Sequence, residues 1–543
     1  AKLRPNGFAI PYVYMHTPMR PSFNGRNRIR TIFVSLGCVL LFPFCAPADG
    51  QPVDSIESDH STGDNNMIEQ TEVVVIGAGI AGLTAAYQLG KADDFDVIVL
   101  EKEDRVGGRT VRGEHDGFVY ARGTEYLGEP EGLLKQLIRK LDLQLREIPS
   151  PCDAHWHGGQ FYYGEDGIAA MYIEQSSLSD YNRFVQTIQK QADAYVEANE
   201  FKPNGKLADL DRMTAREFFQ QNGFGDIYQQ NFNVAARGLF GASIDEISAL
   251  SFIPEIAFDY YDTEPISETR AARLNRDRPR RGSEETGTFS FTGGIAEVTL
   301  ALQNELGHAV RLQSTVTSVQ RDGKEFITTY RDARGNLRKV RSLMVVLAVP
   351  APIAAQIAEN ELTAEQRNLM NRIEYAGYVT ISFYTREIVW DGAFDLAVED
   401  GHFFTDVYDA TWIQRQYDSS VRNRNDSIFT VYIAPRSYKD RSVLNMSDQA
   451  LLESSMADLK KVFGANIETK ITGQTVLRFP YAYPVMTPGA YARLRQLNDL
   501  NARNDGLFLA GDYMIYPTFE AAVDSGGLAA ELAQEYYDET YED

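Results

Sequence analysis

Val73-Val-Val-Ile-Gly-Ala-Gly-Ile-Ala-Gly82 is the stretch of this sequence that decides the fold. The β-branched run Val73–Ile76 is typical of a strand buried in a parallel sheet, and the residues after Gly82 have the apolar spacing of a helix. A second apolar run, Val97–Leu100, follows and ends at Glu101. The sequence therefore predicts a strand–helix–strand unit of about 30 residues.

The three glycines of this unit have the spacing Gly77-x-Gly79-x-x-Gly82. Gly77 permits a tight turn, Gly79 leaves room for a pyrophosphate beside the backbone, and Gly82 lets the helix pack closely on the strand. The helix N-terminus then faces the phosphates. Glu101 follows at about 20 residues, where an acid accepts hydrogen bonds from a ribose. Together these features predict a dinucleotide-binding domain.

The length and charge of the chain narrow the classes of protein. A chain of 543 residues is too long for one ordinary core, so we expect two or more domains. Its formal net charge is −23, with 76 acidic against 53 basic residues. Because nucleic-acid binding depends on clustered lysine and arginine, this balance argues against a nucleic-acid partner.

The N-terminal region has the pattern of a secretory signal peptide. After Met19 come four arginines, the apolar run Ile32–Phe44 and the small-residue motif Ala46-Pro47-Ala48. The run is short for a membrane anchor, which needs about 20 apolar residues. We expect residues 1–48 to be signal peptide and upstream sequence, residues 49–70 a flexible linker, and the mature chain secreted without a transmembrane span.

Cysteine, asparagine and histidine give weaker signals. Cleavage near Ala48 would remove Cys38 and Cys45 and leave Cys152 as the one remaining cysteine, so no disulfide framework is predicted. Sequons at Asn425 and Asn445 predict surface glycosylation if the protein is secreted from a eukaryotic cell. His155 and His157 have no second ligand cluster to support them, so no metal site is predicted.

A Gly107-Gly108-Arg109 loop extends the second strand, and the motifs Gly123-Thr-Glu-Tyr-Leu-Gly128 and Leu509-Ala-Gly-Asp512 follow later in the chain. With these motifs the sequence resembles the flavin amine oxidase superfamily, which has the monoamine oxidase-like FAD fold. The resemblance implies FAD. It also implies that the first loop wraps the pyrophosphate and ribityl chain, that the second runs under the isoalloxazine, and that Asp512 meets the ribityl–phosphate chain.

The same resemblance implies a role for the backbone of Val316 at the adenine and for the last helix, which begins near Phe519. That helix would aim its N-terminus at the flavin N1–C2 carbonyl and stabilise negative charge there. The full set of implied FAD-binding residues is Gly77, Gly79, Ala81, Gly82, Glu101, Lys102, Gly108, Arg109, Gly123, Thr124, Glu125, Val316, Gly511, Asp512 and Phe519.

The predicted fold is α/β, with a discontinuous Rossmann-type FAD-binding domain and an interleaved α+β substrate-binding domain. The FAD-binding domain is assigned to residues 71–130, 289–350 and 475–543, and the substrate-binding domain to residues 131–288 and 351–474. Helical patterns are expected at 132–141, 178–199 and 446–463, and a strand at 378–384.

The sequence departs from the family at three places near the expected flavin ring. Amine-oxidising members carry a lysine near flavin N5, and alignment on Arg372 and Trp390 puts Thr380 there. Members with covalent flavin have a cysteine before a Pro-Gly turn. The equivalent stretch, Tyr481–Gly489, has none, which implies non-covalent FAD. Thr518 falls where one tyrosine of the amine-binding aromatic cage would lie.

These departures favour chemistry in which a hydride leaves carbon for flavin N5 and returns to another carbon. Within the superfamily the combination most resembles the secreted polyenoic fatty acid isomerases of algae, which implies an FAD-dependent isomerase that gives conjugated polyenes. The first alternative is an amine or amino-acid oxidase that produces hydrogen peroxide. A desaturase-type dehydrogenase lies between the two, and a flavin-binding protein without turnover is the hypothesis from another class.

Under the isomerase hypothesis the site needs a polar lining, an apolar tunnel and a cation for a fatty carboxylate. For any single aromatic residue, ordinary core packing is the alternative explanation. The predicted catalytic residues around the ring are Thr518, Tyr516, Tyr481, Tyr126 and Thr380. The predicted substrate-binding residues are Arg122, Tyr483, Phe252, Phe258 and Phe403.

Six arginines in Thr269–Arg281 form a basic segment in an otherwise acidic chain. The segment is expected to be an exposed loop. The alternative is a lid or collar that attracts acidic substrates or a lipid surface.

Overall fold

Strand β1, at Glu69–Ile76, lies at the centre of the first sheet, and Val73, Val74 and Val75 in it are completely buried. The computed structural model describes residues 68–92, 94–192, 194, 202, 204–261, 263–274, 277–503 and 505–541. The predicted signal peptide and nearly all of the predicted linker lie outside these residues.

The strands of the described residues number eighteen. After β1 they are β2 Val97–Leu100, β3 Arg112–His115, β4 Phe118–Ala121, β5 Arg146–Glu147, β6 Asp153–His157, β7 Gln160–Tyr163, β8 Phe289–Ser290, β9 Val310–Arg311, β10 Thr315–Asp322, β11 Glu325–Arg331, β12 Leu337–Leu347, β13 Tyr375–Thr385, β14 Asp395–Val398, β15 Asp406–Asp409, β16 Ser427–Ile433, β17 Ile471–Pro484 and β18 Leu507–Leu509.

The α-helices of the same residues are α1 Ile80–Tyr87, α2 Gly132–Lys140, α3 Gly164–Gln175, α4 Leu178–Gln189, α5 Ala208–Arg212, α6 Ala215–Gln221, α7 Asp226–Phe240, α8 Ala249–Phe258, α9 Glu268–Ala271, α10 Ala296–Leu306, α11 Ala351–Ile357, α12 Ala364–Met370, α13 Trp412–Tyr417, α14 Ser442–Asn445, α15 Asp448–Phe463, α16 Ile467–Lys470, α17 Ala490–Asn501 and α18 Phe519–Tyr541.

The first sheet has the strand order β10-β11-β12-β1-β2-β9, and β18 also pairs with β12. β1 pairs in parallel with β12 on one side and β2 on the other. Such a strand needs apolar residues on both faces, which the run Val73–Ile76 supplies. Helices α1, α10 and α18 cover one face, and α11, α12 and α17 cover the other. The predicted Rossmann-type domain is confirmed.

The second sheet has the order β17-β13-β16-β15-β14-β6-β7 and is antiparallel except between β14 and β6. β13 is its longest buried strand, which confirms the strand expected at 378–384. β17 straddles the predicted domain boundary at residue 475 and lies wholly in this sheet. The division of the chain into two interleaved domains remains a prediction.

Helices α3 to α8 pack around a core of aromatic rings that includes Phe184, Tyr228 and Phe232. The predicted helix at 178–199 is described as α4, which ends at Gln189. The predicted helix at 446–463 is α15, and the Ser447 hydroxyl caps it by accepting a hydrogen bond from the Ala450 amide at 3.2 Å.

Among the described residues no helix is both long enough and apolar enough to cross a bilayer. The same residues contain no group of three histidine, cysteine, aspartate or glutamate side chains arranged to hold a metal ion. Asn425 and Asn445, the two sequon asparagines, are exposed.

Candidate cofactor and substrate site

The three glycines between β1 and α1 form an open cradle. A Cβ atom on Gly79 would have no atom within 4 Å, whereas a Cβ on Gly82 would lie 2.0 Å from the Gly77 carbonyl oxygen. Gly77 itself has φ +103°, a conformation that favours glycine. Gly108 faces the cradle, because its Cβ position lies 3.6 Å from the Gly79 Cα. This open space beside a helix N-terminus fits a pyrophosphate.

Glu101 is fixed at the end of β2 by two backbone amides. One carboxylate oxygen accepts a hydrogen bond from the Ala78 amide at 2.7 Å, and the other accepts from the Glu103 amide at 2.9 Å. The acid is therefore tied to the first residue after the Gly77 turn. Its neighbour Lys102 is exposed and pairs with Glu103 at 3.0 Å.

Other predicted cofactor residues frame this cradle. Helix α18 crosses α1 closely, since a Cβ on Gly526 would lie 2.3 Å from the carbonyl oxygen of Ala81. Gly511 donates its amide to the Ser525 hydroxyl at 2.9 Å, which joins the end of β18 to α18. Val316 lies on β10 next to a bulge, opposite Tyr330.

Arg109 and Asp512 close the other side of the cradle. Nη1 of Arg109 donates to Oδ2 of Asp512 at 2.7 Å and to the Ala482 carbonyl at 2.7 Å. Burial by itself would lower the pKa of Arg109, but the Asp512 carboxylate outweighs this and raises that pKa above its ordinary value. The guanidinium is therefore a permanent cation at the junction of the glycine loop, β17 and the turn after β18.

The segment Arg122–Tyr126 lies between this loop and the second sheet. The Thr124 amide donates to the Arg109 carbonyl at 3.4 Å, which ties the segment to the loop. On its other side, the Thr380 hydroxyl donates to the Arg122 carbonyl at 3.0 Å. Thr380 is 1% exposed, so this hydroxyl is committed to the backbone.

Tyr432 is the cross-strand neighbour of Thr380 on β16 and was not identified from the sequence. Its hydroxyl donates to the Gly123 carbonyl at 2.7 Å and also touches the carboxyl group of Glu125. Glu125 is 8% exposed, and burial raises its pKa to about 8, although the Tyr432 hydrogen bond opposes that rise. A phenol and a carboxyl group therefore meet beside Thr380, where the sequence predicts that the family's lysine is replaced.

Tyr126 follows the Arg122–Glu125 segment in the chain, and Tyr483 lies on β17 of the second sheet. Tyr126 is 36% exposed although Glu125 and Leu127 on either side of it are buried. Its phenol lies close to Tyr483, and Tyr483 lies close to Arg109 and Asp512. These two predicted residues are brought together beside the cofactor cradle.

Three aspartates lie near these two tyrosines, and the sequence did not single them out. Asp153 and Asp395 are paired in register on β6 and β14, and Asp406 lies on β15. Loss of hydration raises the pKa of Asp153 to about 6 although its side chain is still exposed, and it raises the pKa of the half-buried Asp406 also to about 6. Burial, with Asp406 and Asp153 nearby, raises the pKa of Asp395 well above its ordinary value. Only their shared position in the second sheet reveals the cluster.

Thr518 and Tyr516 support the start of α18. The Thr518 hydroxyl accepts a hydrogen bond from the Ala521 amide at 3.2 Å, so it caps the helix that Phe519 begins. The Tyr516 hydroxyl donates to the Ser251 carbonyl at 2.7 Å. Tyr481 stacks edge-on against Tyr375 at 5.4 Å. The structure therefore gives each of these predicted catalytic residues a structural contact.

The predicted substrate-binding residues do not form one lining. Phe252 is completely buried between Phe232 and Phe240, whereas Phe403 packs on the cluster behind the second sheet. Nη2 of Arg122 donates to Thr475 on β17 at 2.9 Å. The side chain of Phe258 lies outside the described residues. The side chains of Phe252 and Phe403 thus belong to separate cores.

The basic segment 269–281 is held by acids and rings of the chain itself, as far as it is described. Arg270 pairs with Asp166 at 3.2 Å, Arg278 pairs with Asp391 at 2.8 Å, and Arg281 lies 3.5 Å above the ring of Trp412. These three arginines have internal partners.

The first sheet carries three features at the ends of its strands: the glycine cradle, an acid placed to bind a ribose, and the Arg109–Asp512 ion pair. Together with the second sheet, they define a two-sheet enzyme that binds a dinucleotide. The chain belongs to the flavin containing amine oxidoreductase family, whose model matches residues 80–533. FAD is its cofactor. The residues around Gly79, Glu101 and Asp512 fit the pyrophosphate, ribose and ribityl parts of that molecule.

The flavin-containing amine oxidase A of Bos taurus is 27% identical over 344 residues, which are 62% of this chain and 60% of that enzyme. A putrescine oxidase double mutant has a similar structure, with a TM-score of 0.63 at 17% identity over 87% of this chain and 99% of that one. The CLA-producing fatty acid isomerase from P. acnes has a TM-score of 0.59 at 17% identity over 86% of this chain and 99% of that one.

Proposed function

We propose that this protein is an FAD-dependent isomerase of polyunsaturated fatty acids that converts methylene-interrupted double bonds into conjugated ones without net oxidation. Thr380 carries the proposal. It stands where the amine-oxidising relatives carry a lysine, and it is buried with its hydroxyl committed to the Arg122 carbonyl. Among the described residues no lysine is buried, so none replaces it within the core.

FAD, when bound, supplies an acceptor and donor of hydride. In the proposed reaction a hydride departs from a bis-allylic carbon and returns to another carbon of the same substrate. No reducing equivalents then remain to be passed to oxygen. The chain therefore needs residues that hold the cofactor, exclude water and position a long polyene, and it needs no cation to assist oxygen.

The residues of the chain fit those tasks. Arg109 and Asp512 hold the cofactor side of the space, and the Thr518 cap fixes the N-terminus of α18 beside it. Tyr126 and Tyr483 offer broad apolar surfaces with a polar edge to the substrate. The raised pKa values of Asp153 and Asp395 keep these carboxyl groups largely uncharged in mildly acidic solution, which suits a lipid chain.

The likeness to the fatty acid isomerase from P. acnes shows a shared fold, and it makes polyene substrates compatible with this architecture. We also propose that the mature protein is secreted after cleavage near Ala48. N-terminal sequencing of the protein from its natural source tests that point. A mature chain that begins before residue 40 would contradict it.

An amine or amino-acid oxidase is the second candidate, and the aspartate cluster favours it. Asp153, Asp395 and Asp406 would attract a cationic amine once they lose their protons. The relatives also include amine oxidases. Under this alternative the space beside Tyr126 and Tyr483 would hold an ammonium group.

Anaerobic turnover separates the candidates. Purified holoenzyme is incubated with arachidonate under argon, and the conjugated-triene absorbance is followed with time. A rise of equal rate under argon and in air supports the isomerase. Hydrogen peroxide from an amine or amino acid in air, with no triene from arachidonate, supports the oxidase and refutes the proposal. Retained FAD with neither product also refutes it.

A further inference from the structure

Tyr432 and Glu125 form a hydrogen-bonded pair at the edge of the site. The number of protons that the two side chains carry decides which hydrogen bonds they can make. The Tyr432 oxygen carries one proton and lies within hydrogen-bonding distance of two oxygens, those of Gly123 and Glu125. The Gly123 carbonyl can only accept. The phenol hydrogen therefore faces two acceptors, the Gly123 carbonyl and the Glu125 carboxyl oxygen, and can be donated to either. A deprotonated Glu125 would compete with Gly123 for the Tyr432 proton.

The surroundings of the pair make its proton mobile. Glu125 is 8% exposed, and its carboxyl group contacts the hydroxyl of Tyr432. Tyr432 on β16 touches it directly, and Asp395 on β14 lies close enough to be influenced by its charge. Asp409, at the end of β15, borders the same small cavity. Burial among these groups brings the pKa of Glu125 to about 8, near the working pH of an acid–base group.

The position of the pair connects it to the reacting region. Tyr432 is the register partner of Thr380, and Tyr483 lies close to its phenol. Glu125 immediately precedes Tyr126, whose side chain is exposed beside Tyr483. The segment that carries both residues is bound to the Arg109 carbonyl of the cofactor loop. The phenol therefore links a buried carboxyl group to Tyr483, one of the residues proposed to contact the substrate.

We propose that Tyr432 and Glu125 are a proton relay, in which Tyr432 exchanges a proton with substrate carbon and Glu125 stores it. This inference rests on the proposed isomerase function. In the accepting direction, the substrate cation that hydride loss would leave gives up a proton: a neighbouring C–H bond breaks and its electron pair forms a double bond to the cationic carbon. The proton passes to the Tyr432 oxygen while the phenol proton passes to the Glu125 carboxylate. The reverse transfer delivers a proton to a different carbon and restores a cation that can take the hydride back, so the relay ends as it began.

The relay gives a defined pH dependence. Only the carboxylate form of Glu125 can accept a proton, and this form increases as the pH rises toward about 8. The rate of triene formation should therefore rise over that range. Asp395 and Asp409 titrate nearby, so the pH profile has to be compared with that of a variant in which Glu125 alone cannot titrate.

The test uses full-length holoenzyme, arachidonate and argon, in water and in heavy water. Tyr432→Phe and Glu125→Gln should each lower the rate of triene formation by about 100-fold with FAD retained, in line with the usual contribution of an acid–base group. Both should abolish the rise toward pH 8 and reduce the deuterium that enters the triene. Tyr417→Phe and Glu114→Gln are matched controls on exposed residues and should behave as wild type.

A second readout does not depend on turnover. The infrared difference between FAD-free wild type and Glu125→Gln should contain a protonated-carboxyl band that disappears near pH 8. The relay is refuted if both variants keep the wild-type rate and pH profile, or if the band titrates at an ordinary carboxyl pKa. Wild-type protein that forms no triene refutes the isomerase function instead, so the two failures are distinguishable.

Discussion

Nη1 of Arg109 lies 2.7 Å from Oδ2 of Asp512, although the two residues are 403 positions apart in the chain. Arg109 belongs to the loop after β2, and Asp512 to the turn after β18. Both strands end at the same edge of the first sheet, which is where ligands bind in open α/β sheets. The pair therefore joins the first and last parts of the cofactor site, and its removal should affect FAD first.

Replacement of Asp512 by asparagine should weaken FAD binding by about tenfold or more. The change removes a charge-assisted hydrogen bond and leaves the Arg109 guanidinium without its anion. Retention of flavin on gel filtration and quenching of flavin fluorescence measure the effect. Asp505→Asn, on an exposed residue paired only loosely with Arg321, is the control. Equal FAD retention by both variants would contradict the assigned role.

Two glycines of the same motif should respond differently to alanine. Gly79→Ala places a methyl group in open space, so the chain should fold with a stability within about 1 kcal/mol of wild type yet lose FAD. Gly82→Ala places the methyl group 2.0 Å from the Gly77 carbonyl oxygen and should destabilise the fold itself. Thermal unfolding of the FAD-free proteins, together with flavin absorbance, separates the two effects. An unfolded Gly79→Ala protein would show that the cradle is not open.

The aspartate cluster predicts opposite pH trends for the two candidate substrates. The pKa values of Asp153 and Asp406 are raised to about 6 by loss of hydration, so negative charge accumulates in the site as the pH rises from 5 to 8. KM for arachidonate should rise over this range by about three- to tenfold, because each carboxylate repels the fatty carboxylate. The corresponding fatty alcohol is the uncharged control, and its KM should stay flat. A KM for arachidonate that falls with pH would contradict the cluster's influence.

Glu255 on α8 should make the protein less stable in alkaline solution. Burial, with Asp259 and Glu520 nearby, raises the pKa of Glu255 from the ordinary 4.5 to about 8. Between these values the folded chain holds a proton that the unfolded chain has released. The contribution of protonated Glu255 to the free energy of unfolding is therefore fully present below pH 4.5, and it is lost as the pH rises through 8.

At pH 9 the free energy of unfolding of Glu255→Gln should therefore exceed that of wild type by on the order of 2 kcal/mol. At pH 4 the two free energies should be equal. Chemical denaturation of the FAD-free protein at the two pH values measures the difference. Glu264→Gln, on an exposed residue, provides the comparison and should change stability by less than about 0.5 kcal/mol at either pH.

The first sheet and the cofactor cradle could be predicted because their signals are local. A parallel strand needs a continuous apolar run, and a phosphate turn needs glycine at fixed spacing. The departures at Thr380 and Thr518 depend on alignment with a family and remain predictions. The predicted substrate lining was less successful, because an aromatic residue in a core and one at a cavity wall have the same sequence pattern. Phe252 and Phe403 illustrate this, each packed in a different core.

The sequence by itself determined the dinucleotide-binding unit, because Gly79 and Gly82 act through backbone shape and Glu101 through its place at the end of a strand, all within one short stretch of chain. Only the tertiary structure decided which acidic and phenolic side chains meet beside the cofactor site. Glu125 meets Tyr432 across 307 positions, and Asp153 meets Asp395 through the pairing of β6 with β14. Such contacts arise when strands from distant parts of the chain share a sheet. Burial in that sheet then changes the proton affinity of each carboxyl group, which no local pattern records.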